Sequence, residues 1–282
     1  MSRREVPLES WFTQGGPGAA IMRRFRLVHP ELGVGSGRAA LALATVSWLP
    51  LLTFSAMQGY LFSGATIPFY KNIAAQTRFL LAVPILILAD IPVGLRLREM
   101  VHHFLNSGLI RENERERFGA ILFDAIEARD SRIAGILVAS LAYIATYLNL
   151  AHGQLQRGST WYTPVGAGHL ALAGYWYVLV ALPIFQFLIL RWIYRMINWA
   201  RFLFKISRLE LKLSAAHPDA AGGLGFLGKS LIPFGVIRFA LSSAVSGAIA
   251  SRVIFAHVEL QSFAAVYVAL VIVSLAISPD PC

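Results

Sequence analysis

Cysteine is nearly absent, with one residue, Cys282, at the last position. A single thiol excludes an intrachain disulfide framework and a Cys-rich metal site. Charge is also scarce, at 14% of 282 residues, and acidic side chains are outnumbered 15 to 25 by Lys and Arg. A soluble domain carries about 25% charged and about 45–50% apolar residues. Here the hydrophobic share is 56% and the mean hydropathy +0.60, which excludes an ordinary water-soluble globule. Catalytic signatures are missing as well: there is no HExxH, no Ser/His/Asp arrangement at recognisable spacing and no paired carboxylates within an apolar run. No catalytic residue and no cofactor are expected on that ground.

What the chain does have is long apolar runs, and a run of about 20 such residues is what a helix needs to cross hydrocarbon. The runs predict an all-α polytopic transmembrane bundle of about six spans, at 39–62, 74–95, 133–151, 170–190, 231–254 and 258–277. The last boundary is the weakest, because Arg252, His257, Glu259 and Gln261 leave little polar loop before span six.

The net charge of +10 does not point to nucleic acid, because the basic residues fall in three blocks between apolar runs. Twenty of the 25 lie before span one, between spans two and three, or between spans four and five. Loops rich in Lys and Arg stay in the cytoplasm, so both termini are expected there. Residues 1–38 read as a cytoplasmic basic segment. Its Arg3-Arg4 is followed by Pro7, Glu9 and Gln14 instead of the apolar core of an export signal. Trp11, Phe12, Ile21, Met22 and Phe25, interleaved with Arg23, Arg24 and Arg26, would suit a stretch lying on the membrane surface. Trp161, Tyr162, Tyr175, Trp176 and Tyr177 mark the outer boundary, and Trp192, Tyr194 and Trp199 the inner one.

Two polar segments between spans read as helical. Residues 96–132 alternate Glu112, Glu114, Glu116, Asp124 and Glu127 with Arg111, Arg115, Arg117 and Arg129, the pattern of a solvated, salt-bridged hairpin. Residues 191–230 begin as a basic helix, bearing Arg191, Arg195, Arg201, Lys205, Arg208 and Lys212, which would lie near anionic lipid headgroups.

That second segment ends in Gly223-Leu224-Gly225-Phe226-Leu227-Gly228-Lys229-Ser230, the letters of a phosphate-binding P-loop. A P-loop follows a buried strand, whereas this one leads into an apolar span containing Pro233, so nucleotide hydrolysis is not expected. Free backbone N–H groups and the Lys229 charge could still hold an anion. Gly222, Gly223, Gly225, Gly228, Lys229 and Ser230 are therefore candidates for anion or headgroup binding. His217 and Asp219 could touch one cation, but two ligands make no metal site. Glu99, His102 and His103 form a second weak cluster.

A charge inside a span is costly unless paired or hydrated. Asp90 and Arg238 lie at compatible depths in spans two and five and are expected to pair. Arg78 can reach the outer boundary. Pro50, Pro84, Pro183 and Pro233 can mark kinks beside a cavity. The similar Leu49-Pro50-Leu51-Leu52-Thr53-Phe54 and Leu182-Pro183-Ile184-Phe185-Gln186-Phe187 would suit two inverted three-helix halves.

Three stretches, Trp48-Leu49-Pro50-Leu51-Leu52, Arg78-Phe79-Leu80-Leu81-Ala82-Val83-Pro84 and His217-Pro218-Asp219-Ala220-Ala221-Gly222-Gly223-Leu224-Gly225-Phe226-Leu227, together resemble an uncharacterised family of bacterial polytopic inner-membrane proteins. The resemblance implies the bacterial cytoplasmic membrane and supplies no activity. It also implies a cytoplasmic tail beyond the last span, so the chain, ending at Ser278-Pro279-Asp280-Pro281-Cys282, reads as a truncated form. The leading expectation is transport or permeation, with Asp90 and Arg238 beside a cavity. The alternatives are a lipid-handling or envelope-assembly factor that binds phospholipid headgroups, and a membrane sensor or scaffold acting through 96–132. The expected partners are membrane lipids and further copies of the chain in a homo-oligomer.

Overall fold

A computed structural model describes residues 36–151, 160–163, 169–212, 222–229 and 232–277. Among these the regular structure is helical: α1 (Ser36–Met57), α2 (Ile73–Asn106), α3 (Arg115–Asp130), α4 (Arg132–Ala151), α5 (Leu172–Ile206), α6 (Gly235–Ala256) and α7 (Ala264–Ile277). Sheet-like pairing within the described residues is confined to isolated bridges such as Ile110 with Leu211. Residues 1–35 of the basic N-terminal segment lie outside the described set.

Five helical stretches are long and apolar enough to cross a membrane: α1, α2, α4, α5 and Phe226–Phe255, which contains α6 up to Phe255. The sixth expected span is shorter. Helix α7 has 14 residues, about 21 Å at 1.5 Å per residue, against a hydrocarbon core of about 30 Å. The left-handed backbone of His257 (φ 51°) ends α6 and turns the chain toward it.

The outward faces explain why the sequence is so apolar. Helix α4 buries only Val138, Ala142 and Thr146, one residue per turn on a single stripe, while Ile133, Ile136, Leu141, Ile144 and Tyr147 are exposed. In water that surface would drive aggregation; in lipid it needs no cover. Buried polar side chains tie the helices instead of a hydrophobic gradient, since lipid is as apolar as leucine. Trp48 of α1 donates to Gln76 of α2 (2.7 Å), Thr146 of α4 to Gln186 of α5 (2.7 Å), and the Ala74 amide of α2 to Ser251 of α6 (3.0 Å).

Helices α2 and α5, at 34 and 35 residues, are far longer than their neighbours, which have 16 to 22. The sequence reads the basic stretch after Arg191 as an extension of the fourth span and the stretch after Arg96 as part of a separate hairpin; in the structure each polar half runs on from its apolar half, in α5 and in α2 alike. Both carry a π-helical segment, Thr77–Ala82 and Tyr177–Ala181, with a proline two residues past its end, Pro84 and Pro183. Leu80, Ala82, Pro84 and Ile85 recur 99 positions later as Leu179, Ala181, Pro183 and Ile184. The internal likeness thus joins the second and fourth apolar runs and relates them in the same direction along the chain, in place of the inverted match around Pro50.

The 96–132 segment is not free-standing. Its first part is the end of α2, stopped at Asn106 ahead of Gly108 (φ 72°). Helix α3 keeps local ion pairs at its start, Arg115 with Glu112 and Arg117 with Glu114. It also buries Phe118, Ile121 and Leu122, with Phe118 packing on Phe202 of α5. Lys205 of α5 bonds Asp124 of α3 (2.7 Å), and the Arg111 guanidinium bonds Glu210 (3.0 Å). Hereafter this is the basic side of the bundle.

Candidate functional site: buried arginines where α2, α3 and α5 meet

Asp90 stands near the middle of α2, one residue beyond the turn at Ala89. Pro92 explains that turn, because it has no N–H for the Leu88 carbonyl and its ring crowds the preceding turn. The Trp192 indole of α5 reaches across the loosened ladder and donates to the Leu86 carbonyl (2.8 Å). Flanking Trp192 on α5, Arg191 and Arg195 lie on the same face, four residues apart, and each donates to a different oxygen of Asp90. The side chains retain only 5% (Arg191), 9% (Arg195) and 20% (Asp90) of their exposure. The Arg195 guanidinium also stacks on the Trp192 ring at 4.5 Å.

The pairing expected between Asp90 and Arg238 gives way to this arrangement. Both carboxylate oxygens are taken up by α5, by two arginines that composition places in a headgroup-facing basic helix. Arg238 lies in the first turn of α6, its Nη2 3.7 Å from the point where a Cβ on Gly235 would stand. Arg78, at the other end of the same helix pair, donates to the Tyr177 hydroxyl (2.5 Å) and lies over the Phe185 ring (5.3 Å). Two polar ties, 12 residues apart on α2, or about 18 Å of rise, therefore hold α2 and α5 side by side and parallel. Beyond the Arg78 tie, Trp161 and Tyr162 pack edge-on (4.9 Å) and Tyr162 stacks on Tyr177 (5.4 Å). Burial first, and the neighbouring Tyr177 second, push the Tyr162 phenol up to about 12.

Helix α3 brings a third arginine to the basic side. Arg129, in its last turn, grips Asp130 through Nε (3.0 Å) and Nη2 (2.7 Å), and the Tyr194 hydroxyl of α5 donates to the Ala128 carbonyl beside it. A cavity of about 40 Å3 lies between these helices, lined by Arg129, Arg195 and Asn198 together with Val93, Trp192 and Phe202. Arg129 Nη1, Asn198 Nδ2 and the Nε and Nη1 of Arg191 are buried without a hydrogen-bond acceptor. Three largely covered arginines against Asp90 and a half-exposed Asp130, with donors in excess, make the region complementary to an added negative charge.

The glycine-rich loop borders the same region. Gly222 and Gly223 adopt positive φ (66° and 96°), and Phe226–Lys229 forms a four-residue helix. The Phe226 ring packs on His103 (4.2 Å) and Phe104 (4.9 Å) at the end of α2. Further on, Phe234 reaches the cavity wall. Gly225 and Gly228 lie in this turn-and-helix element; Ser230 falls outside the described residues, and the Lys229 side chain is likewise not described. No strand precedes the loop among the described residues, so the P-loop letters lack the scaffold that gives them meaning. His217 and Asp219 lie outside the described residues. Glu99 bonds Arg96 (2.6 Å), and no group of three or more potential metal-ligating side chains converges among the described residues.

The sequence missed Arg191, Arg195, Arg129 and Asn198 as a site. The readable signal was the recurrence at an offset of 99, which matches the Arg78–Tyr177 tie and brings Asp90 opposite Ile189, two residues before Arg191. Compared with family models, with curated proteins and with solved structures, the chain finds no match.

Proposed function

We propose that the protein is a multi-pass bacterial inner-membrane protein that handles phospholipid, with its basic side in the cytoplasm, and that it holds an anionic headgroup of the inner leaflet. One observation carries this reading: Arg129 and Asn198, each with a buried donor that has no acceptor, belong to the lining of a cavity where the apolar halves of α2 and α5 give way to polar ones. The excess of Lys and Arg on that side supports the orientation, and such residues attract anionic lipid. A phospholipid phosphate supplies the missing acceptors, and the exposed apolar faces of the spans supply a surface for its chains.

Native mass spectrometry of the protein extracted from bacterial membranes in mild detergent tests the reading. A phospholipid retained at fixed stoichiometry is the expected result, and a bare protein at all detergent concentrations would overturn it.

Transport is the second reading, favoured by the two π-helical segments lying side by side in α2 and α5. Such segments interrupt the regular ladder, recur at functional sites and pair here with Pro84 and Pro183. Against a relay through Asp90 stands its engagement by two guanidiniums. Proteoliposomes loaded with a pH-sensitive dye would show a protein-dependent proton flux under an imposed gradient if transport were right. The sensor reading is weaker, since the apolar face of α3 that a partner would read is already covered by α5.

A further inference from the structure

We infer that the cavity between α2, α3 and α5 is a phosphate-binding site, with Arg129, Arg195 and Asn198 as its ligand-contacting side chains. The inference deepens the headgroup reading and rests on it for the physiological ligand; the site itself follows from four features of the cavity.

The first is donor excess. Arg129 Nη1 and Asn198 Nδ2 are buried, belong to residues that line the cavity and have no acceptor. A buried donor left unsatisfied costs about 1–3 kcal/mol, more when charged, so two at one cavity imply an acceptor that completes them. The second is the absence of acid: among the described residues no Asp or Glu lines this cavity, and Asp90 and Asp130 are engaged by their arginines.

The third is size. One water needs about 10–15 Å3 of such space, so about 40 Å3 takes roughly three water-sized groups, the bulk of a phosphate's free oxygens. Guanidiniums match that geometry, since their planar N–H forks engage two oxygens at once. The fourth is the apolar part of the lining, where Val93, Trp192 and Phe202 offer contact to carbon attached to the phosphate. A smaller cavity of about 30 Å3, which shares Asn198 with the first, is lined by Arg201 and by Lys205 with its partner Asp124.

A tetrahedral phosphate oxyanion fits this chemistry whether it belongs to a lipid headgroup or to a soluble phosphate ester. The experiment uses the full chain in detergent, with phosphatidylglycerol, phosphatidylcholine and glycerol 3-phosphate as separate probes, read by native mass spectrometry and isothermal titration. Two variants accompany the natural chain. Arg129→Gln removes the guanidinium, and Asn198→Asp keeps the shape while placing a carboxylate where the donor was. Each is expected to weaken binding at least about tenfold, as the loss of one charge-assisted bond does. Asn198→Asp carries the test alone if Arg129→Gln proves unable to fold by gel filtration.

Binding of phosphatidylglycerol that glycerol 3-phosphate does not displace, lost in the variants, assigns the site to a lipid headgroup. Binding of glycerol 3-phosphate that the variants abolish assigns it to a soluble ester, which keeps the site and removes the headgroup reading. Lipid bound equally by the natural chain and both variants overturns the site and leaves headgroup handling standing. No binding of any probe overturns both.

Discussion

A guanidinium inside a helical bundle must meet its counter-charge within the bundle, since no water is there to replace it. At Asp90 the numbers are unequal: one carboxylate serves Arg191 and Arg195, both nearly fully covered. Removing the single acid therefore strands two buried cations at once. Breaking one buried pair by deleting a partner costs about 3–5 kcal/mol, and Asp90→Asn should cost at least that, read as a lowered denaturation midpoint in detergent. Asp90→Asn combined with Arg191→Met should recover part of the loss, because one stranded charge is gone and a side chain of similar reach fills its space. An Asp90→Asn protein within about 0.5 kcal/mol of the natural chain would show the cluster to be hydrated. That Asp90 needs a partner was legible in the sequence, because a lone acid in an apolar run is improbable without one. Which partner was not legible, because depth along a span is a one-dimensional estimate and says nothing of which helix faces which.

At the scale of helices, close approach is set by the smallest residues. A Cβ added to Gly247 of α6 would stand 2.0 Å from Thr77 Oγ1 and 2.9 Å from Thr77 Cβ and Cγ2, at the start of the π-helical segment of α2. Small residues at such crossings let transmembrane helices pack through van der Waals contact. Gly247→Ala must push α6 off α2 and should cost about 1–3 kcal/mol, the usual penalty of overpacking. Thr77→Ala in the same chain should return part of it by removing the hydroxyl and the methyl. Equal stability of Gly247→Ala and the natural chain would mean that α6 does not sit this close. Element existence was readable from the sequence throughout, since apolar runs of span length admit little besides helices. Element ends were legible only in part. The basic face after Arg191 reads as a continuation of the fourth span, whereas nothing in composition marks that α2 runs on past Asp90 and Pro92, its polar half being held by contacts such as Phe104 with Phe118 of α3. The π-helical segments were equally hidden, although the paired prolines stood in view.

At the scale of the molecule, one asymmetry organises everything else: buried cations, exposed basic side chains and the glycine-rich loop share one side, and the aromatic cluster of Phe69, Trp161, Tyr162 and Tyr177 the other. If Lys and Arg keep a side in the cytoplasm, the Asn106-Ser107-Gly108 turn and the Leu61-Phe62-Ser63 turn lie on opposite faces of the membrane. Both Ser63 and Ser107 are exposed, and Cys282 is the sole thiol to remove first. In a Cys282→Ser background, a membrane-impermeant maleimide added to intact spheroplasts should label Ser63→Cys and leave Ser107→Cys untouched until the membrane is opened. The reverse pattern would place the arginine cavity on the outer face, where the headgroup it could hold would be one of the outer leaflet. Labelling of both sites in sealed cells would break the hairpin of α1 and α2 and with it the parallel pairing of α2 and α5. The first outcome alone leaves the Arg129 cavity facing the leaflet in which bacterial anionic phospholipid and soluble phosphate esters both reach it.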